Sequence, residues 1–285
     1  MRVGESDTSD SVLRGKNRRA WRAGNRAGNR ATGRRFGEGR HRRQTITEAA
    51  CRTAAVFGGS GGIGRALVAA LVQRGVQVWS GSRSGVADVP GATAFRFDFG
   101  DEGTIAQAAE RMADDPPRLV LVTTGALTLP DGTGPERSYR QVEGAAMAQM
   151  FAINTIGPAL VAKHMLPLLP RGERATFAAL SARVGSIGDN RLGGWHSYRA
   201  SKAALNMLIR NWAIELGRTH KQAIVVGLHP GTVDTRLSEP FQSGLPDGQL
   251  TAPDEAARNL LSVLDALTPA DSGGVFDWKG EAIPA

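Results

Sequence analysis

Apolar positions along this chain follow two different periods, and the way the periods alternate sets the architecture. Short, nearly unbroken apolar runs stand at Ala54–Phe57, Val76–Ser80, Ala94–Phe97, Leu119–Val122, Ala175–Leu180, Ala223–Leu228 and Val275–Trp278. Between them, Ile63–Arg74 and the stretches 102–113, 140–167, 197–217 and 253–267 carry helical spacing. A strand that is apolar on both of its faces is covered on both, and strands separated by helices pair in parallel. The pattern predicts an α/β fold, a single doubly wound parallel sheet with seven strands. No repeat at solenoid periods competes with it.

Residues 1–50 break the pattern. Arg, Gly and Asn recur there, as in Arg22-Ala23-Gly24-Asn25-Arg26-Ala27-Gly28-Asn29-Arg30, with few apolar side chains and no sustained period. Such a segment cannot bury enough surface to offset its ordering entropy, so it reads as a disordered basic arm ahead of a folded domain at 51–285. Charge divides the same way. The chain carries a formal +8, and residues 1–50 hold 13 Lys+Arg against 5 Asp+Glu, leaving 22 of each sign in the remainder. The body is therefore neutral, and nucleic acid enters only through the arm. A tail without a role, or an upstream extension of the coding frame, is the preferred reading of the arm; a nucleic-acid arm and an organelle-targeting peptide are the rivals. Cys51 is the single cysteine, which excludes a disulfide framework and a cysteine zinc cage. No unbroken run of about 18 apolar residues and no secretory h-region is found, so the expected setting is cytoplasmic, off the membrane.

The first strand runs into Phe57-Gly58-Gly59-Ser60-Gly61-Gly62-Ile63-Gly64, and a helix follows at once. Glycines at 58, 62 and 64 allow a tight turn and close backbone approach to a pyrophosphate, with the helix start supplying a favourable dipole. A dinucleotide is the expected cofactor.

The turn resembles the T-G-x-x-x-G-x-G motif of the short-chain dehydrogenase/reductase family, with Phe57 in place of threonine. Asn154 in Phe151-Ala152-Ile153-Asn154 is similar to the family's helix asparagine. Tyr198-Arg199-Ala200-Ser201-Lys202 is similar to its Y-x-x-x-K, and Pro230-Gly231-Thr232-Val233-Asp234-Thr235 to its P-G-x-V-x-T. The segments Ser181–Asn190, Gly193–Lys202 and Phe276–Gly280 resemble the C-factor-like branch. The resemblance covers about residues 53–285. It implies a Rossmann-type sheet and an oxidoreductase that interconverts a small ketone or aldehyde with an alcohol. The branch also admits a cofactor-binding signalling or regulatory protein with little or no turnover.

Hydride transfer to a carbonyl leaves an oxygen that needs a proton. A tyrosine can give it, and a cation one helical turn away favours its phenolate and lowers its pKa. With two Tyr and five Lys in the chain, a Tyr–Lys pair at i, i+4 arises by chance about 0.04 times. Tyr198 is thus the expected acid/base, with Lys202 tuning it. The resemblance implies a serine that orients the carbonyl and an asparagine that supports a helix kink and a water leading to the lysine, here Asn154. The family's serine position aligns with Ala182, so Ser181 is the nearest hydroxyl, Ser186 its rival, and a site without a catalytic serine the third alternative. Cofactor contacts are expected from Gly58, Ser60, Gly61, Gly62, Ile63 and Gly64 in the turn, and from Ser82 and Arg83 after the second strand. Asp98 and Phe99, Thr124 and Gly125, Tyr198 and Lys202, and Pro230, Gly231, Val233 and Thr235 complete the set.

No acid stands at residues 79–83, where one would bond both ribose hydroxyls of NAD. Arg83 offers a forked donor suited to a 2′-phosphate, so NADP(H) is expected over NAD(H), although Gly61 stands where a second base often sits. His196 beside the tyrosine reads as a helix entry rather than a base. His41, His164 and His220 have no metal-ligand spacing, and no metal site is expected. Arg236–Leu250, with Leu237, Phe241 and Leu245 as an apolar inner face, is expected to cover a small substrate with an apolar body. A homodimer or homotetramer is compatible with all of this.

Overall fold

A computed structural model describes residues 52–243 and 249–285. The basic arm, Cys51 and Leu245 lie outside the described residues. Seven parallel strands form the main sheet: β1 (Thr53–Phe57), β2 (Gln77–Ser82), β3 (Ala92–Arg96), β4 (Leu119–Val122), β5 (Ala175–Leu180), β6 (Ala223–His229) and β9 (Val275–Asp277), in the spatial order β3-β2-β1-β4-β5-β6-β9. The order reverses at β1/β4, where a doubly wound sheet opens a crevice at its carboxyl edge. A short parallel pair outside it, β7 (Thr232–Val233) with β8 (Leu250–Thr251), was not foreseen. The third strand begins and ends earlier than Ala94–Phe97, because its register is set by pairing with β2 from Val78↔Ala92 to Ser82↔Arg96.

Alternation along each strand divides the core into two layers. Val56, Leu121 and Val226 face α1 (Gly62–Gln73) and α6 (Pro253–Ala266), meeting Leu67, Leu71, Leu260 and Leu264. Phe57, Val120, Phe177 and Val225 face α2 (Glu102–Arg111), α4 (Gly157–Met165) and α5 (His196–Leu216), meeting Ile105, Met165, Leu205 and Ile209. Local signals set the helix starts. The Asp101 carboxylate accepts the Gly103 N–H at 3.1 Å to open α2, and Pro253 with Asp254 and Glu255 opens α6.

The expected helix at 140–167 is a continuous helical stretch from Gly144 to Leu168, in which α3 (Gly144–Phe151) and α4 are joined by a π turn at Ala152–Ile156. At 25 residues it is long and apolar enough to cross a membrane by length and composition, which an unbroken-run criterion misses. Here Val161, Ala162 and Met165 are spent on the sheet face with Phe177.

Phe177 is fully buried in β5 and meets Trp212 edge-on at 5.7 Å. Phe177→Ala should lower unfolding free energy by about 3–5 kcal/mol in urea titration, the usual range for an aromatic core truncation. A loss below about 1 kcal/mol would mean that this layer does not carry the fold.

Candidate active site

The glycine turn closes on itself before it meets anything else. Gly58 and Gly59 N–H both donate to Gly81 O, at 3.0 and 2.9 Å, tying the turn to the end of β2. Gly58 has φ +103°, and a Cβ there would stand 2.6 Å from Thr123 Oγ1, so only glycine fits. At Gly64 a Cβ would fall 2.1 Å from Gly58 O, which lets α1 start tight against the turn. The helix is capped by Gly61 with no side-chain acceptor and no acid in its first turn. Its leading N–H groups at Gly62, Ile63 and Gly64 have no intrahelical partner and are left for an anion. Ser60, Gly61 and Gly62 are exposed.

Other expected contacts converge on this turn. Thr235 packs on Gly62, where a Cβ would meet its methyl at 2.5 Å. Thr123, overlooked in the sequence, donates from its hydroxyl to Phe57 O and Gly58 O at 3.1 Å, and its neighbour Thr124 leaves a buried hydroxyl with no partner. Gly231 has φ +78° with Trp278 against it, and Val233 is buried. Asp98 turns its carboxylate back on Gly100 N–H at 2.9 Å, and Phe99 packs on Gly157. The glycine cradle and the orphaned Thr124 hydroxyl fit a dinucleotide. Ser82 is occupied within its own loop, donating to Val86 O at 3.1 Å beside Ser84. Arg83 is exposed and has no hydrogen bond or ion pair among the described residues.

Tyr198 and Lys202 lie one turn apart on α5, both buried. Lys202 Nζ donates to Leu180 O at 2.9 Å and stands 5.9 Å from the Tyr198 ring centre. Asn154, in the π turn, clamps Ala126 from both sides: its Oδ1 accepts Ala126 N–H at 2.9 Å and its Nδ2 donates to Ala126 O at 2.8 Å. Asn154 Nδ2 also reaches Ser201 Oγ at 3.2 Å, and Ser201 donates to Tyr198 O at 2.8 Å. Thr155 adds a bond to Ser201 O at 2.8 Å. A π turn is a common device at functional sites, and here it aims Asn154 between β4's end and α5. Gly125 lies against both Asn154 Oδ1 and Lys202 Nζ.

One expectation needs correction, and one expected residue takes an unforeseen partner. The Ser181 hydroxyl donates to Asn206 Oδ1 at 2.6 Å, while Ala182 packs in the cluster around Tyr198. The residues alternate sides as the strand ends, so adjacent positions face different neighbours. The rival Ser186 accepts Asp189 N–H in its own turn. The phenol also moves opposite to the expected direction. Burial pushes Tyr198 up to about 12, and the same desolvation brings Lys202 down to about 8.

Around Tyr198 the walls are apolar: Leu127, Leu129, Met150 and Ala182, with Trp195 and Phe241 packed against them. Phe241 meets Trp195 at 5.3 Å, but Leu237, expected inward with it, is 40% exposed. Beyond these walls lies a cavity of about 250 Å³ lined by Leu129, Glu136, Ala146, Met150 and Ser197 among others. His196 is the first residue of α5, and no cluster of metal-ligating side chains exists among the described residues.

A family model described as short chain dehydrogenase matches residues 52–245. The C-signal of Myxococcus xanthus is 41% identical over 143 residues, which is 50% of this chain and 81% of that protein. A 1-hydroxy-2-glutathionyl-2-methyl-3-butene dehydrogenase of Rhodococcus sp. (strain AD45) is 38% identical over 125 residues, 44% of this chain and 52% of that one. Among solved structures, an NADPH-bound carbonyl reductase from chicken fatty liver is 26% identical with a TM-score of 0.70, over 82% of this chain and 94% of its own. An NADP-bound short-chain dehydrogenase/reductase from Burkholderia multivorans is 26% identical with a TM-score of 0.68, over 82% and 100%.

The buried ammonium of Lys202 should cost stability. Below about pH 8 it is charged in both states, and the folded protein bears the full desolvation. Between about 8 and the ordinary lysine value the unfolded chain holds more protons, so stability climbs with pH. Lys202→Met should therefore raise the unfolding free energy of the cofactor-free protein by on the order of 2 kcal/mol at pH 7, a gain that fades across that window. A destabilised variant at pH 7 would contradict this.

Proposed function

This chain belongs to the short-chain dehydrogenase family, and from that membership we propose an NADP(H)-dependent oxidoreductase that interconverts an apolar-bodied ketone or aldehyde with its alcohol. One observation carries the reading: Tyr198 and Lys202 are buried together at the carboxyl edge of the sheet, between the Asn154–Gly125 contact and a ring of apolar walls. The nicotinamide dinucleotide, when bound, supplies or accepts the hydride.

The residues divide the remaining work. The glycine turn and the start of α1 hold the diphosphate on backbone N–H groups, with Thr124, Gly125, Pro230, Gly231, Val233 and Thr235 along the rest of the groove. In reduction, Tyr198 gives its phenolic proton to the carbonyl oxygen as the alcohol forms; in oxidation it takes that proton back. Lys202 holds a positive charge beside the phenol, which favours the phenolate as the proton leaves. Asn154 fixes Ala126 and, through Ser201, the turn that carries Tyr198. Ser181, whose hydroxyl donates to Asn206, is the serine proposed to orient the carbonyl, with Ser186 its rival. The apolar walls exclude water and suit a substrate without a charged body near the carbonyl.

The NADP(H) preference rests on Arg83, an unpaired guanidinium after β2 with no acid at 79–83. It is also consistent with the NADPH- and NADP-bound neighbours at 26% identity.

Carbonyls and alcohols screened with both cofactors, followed by nicotinamide absorbance, test the reading. Tyr198→Phe should lower kcat by at least about 100-fold while cofactor affinity survives. Turnover kept within a few-fold would remove Tyr198 from the chemistry. Bound NADPH with no turnover across the whole panel would instead favour a cofactor-binding protein without this reaction. NADPH should be used about 10-fold better than NADH in kcat/KM, and Arg83→Ala should erase most of that margin while sparing NADH. Equal use of both cofactors by the unmutated protein would refute the preference.

A further inference from the structure

The helix that carries Tyr198 starts without a cap of its own. Its N-cap position is Trp195, which supplies no side-chain acceptor and sits at φ 51°, ψ 44°. It is the one non-glycine residue with positive φ among the described residues. A bulky residue in the left-handed region is strained and persists only where its surroundings hold it. The hold comes from Glu136, in the loop between β4 and α3. Trp195 N–H donates to Glu136 O at 2.5 Å, Ser197 N–H donates to Glu136 Oε2 at 3.1 Å, and the Ser197 hydroxyl donates to Glu136 Oε1. The Glu136 carbonyl thus takes the Trp195 N–H, its carboxylate takes the Ser197 N–H and hydroxyl that no local side chain reaches, and the helix dipole favours its charge.

Tyr198 is the third residue of that turn, and the Trp195 ring meets it edge-on at 6.2 Å. Glu136 also lines the cavity with Leu129 and Met150, two walls of the Tyr198 cluster. Burial pushes the Glu136 carboxyl up, but the Ser197 bonds and nearby His196 outweigh it, leaving it below the ordinary glutamate value and charged at neutral pH.

We propose that Glu136 is a positioning residue of the reaction: by capping α5 from across the site, it fixes the turn that presents the Tyr198 hydroxyl to the carbonyl. This rests on the reading of Tyr198 as the acid/base. The contacts make a specific demand. Losing the carboxylate should misplace the proton donor and leave the cofactor cradle, built on β1 and α1, untouched.

The test uses the full chain with Glu136→Ala, Glu136→Gln and Ser197→Ala, on whichever carbonyl the screen finds. Glu136→Ala should lower kcat about 10-fold or more, with KM and the NADPH Kd within about threefold. Glu136→Gln keeps one acceptor and should recover part of that loss; Ser197→Ala, which removes the hydroxyl bond and keeps the Ser197 N–H bond to the carboxylate, should fall between. A second readout needs no substrate. The chain has only two tyrosines, and Tyr139 is 69% exposed, so in a Tyr139→Phe background the tyrosinate absorbance after a pH jump reports Tyr198 alone. Removing the negative charge at Glu136 should lower the Tyr198 pKa, whereas a loop staple with no bearing on the site would leave it in place. Unchanged kcat and an unmoved tyrosinate titration in Glu136→Ala and Glu136→Gln would overturn the proposal. If Tyr198→Phe is inactive in the same assay, that result sinks only the role of Glu136; if Tyr198→Phe is active, the reading beneath it falls as well.

Discussion

A lysine ammonium held almost wholly out of water is the constraint around which this site is built. Lys202 is 4% exposed, and one backbone carbonyl, Leu180 O, accepts its hydrogen bond. An ion in that position is tolerated only if the surrounding structure fixes it and the rest of the fold outweighs the desolvation. The surroundings do so by close approach. Gly185 lies where a Cβ would meet Lys202 Cβ at 2.8 Å, so the turn after β5 can press onto α5 only as glycine. Gly125 approaches from β4's end, and Asn154 braces that segment by bonding both backbone groups of Ala126. Leu205 and Ile209, on the next two turns of the same helix, anchor in the layer that contains Phe177 and Val225. The apolar core and the buried charge share one helix, so the stability of the first is what holds the second in place.

Strand direction explains why so many unrelated segments meet there. All seven strands of the main sheet are parallel, so every carboxyl end opens on the same edge. Gly58, Arg83, Thr124, Ala182 and Pro230 each follow a different strand, yet they face one crevice at the point where strand order reverses. A mixed sheet with the same residues would scatter them over two edges. The glycine turn shows how tight the crevice is, since Gly58, Gly62 and Gly64 each lie where a Cβ would collide with Thr123, Thr235 or the turn's own backbone.

What could be read from the sequence follows from where each signal originates. The seven strands and the cradle were legible because their causes are local: apolar runs, glycine spacing, and a Tyr–Lys pair one turn apart. The π turn at Asn154 left no mark in the apolar pattern, which runs through it unbroken; the resemblance implied a helix kink there, and the bonds to Ala126 and Ser201 show what holds it. The surroundings of Ser181 were not legible, because a hydroxyl next to the aligned position looks equivalent in a string of letters, whereas adjacent positions at a strand end face different neighbours, here Asn206 and the tyrosine cluster. The direction of the Tyr198 shift was missed for a similar reason. Spacing locates a cation, but it does not measure the desolvation that outweighs it.

The two halves of the crevice differ in chemistry, and that difference sets where specificity resides. The half proposed to hold the cofactor is made of backbone N–H groups, glycines and short hydroxyl side chains, whose requirements are strict enough to leave a motif. The half proposed to hold the substrate is made of Leu127, Leu129, Met150, Trp195 and Phe241, contributed by the loop after β4, by α3, by the entry to α5 and by the turn after β7. Apolar walls tolerate exchange of one residue for another of similar volume, so they leave no motif. They can still act selectively, because the tilted contact of Phe241 with Trp195 and the edge-on contact of Trp195 with Tyr198 link the shape of the pocket to the placement of the proposed proton donor. A substrate that displaces Trp195 would pull on the same strained residue that Glu136 holds. On the proposed reading, the fit of a carbonyl's apolar body and the alignment of its oxygen with the phenol are therefore one mechanical problem.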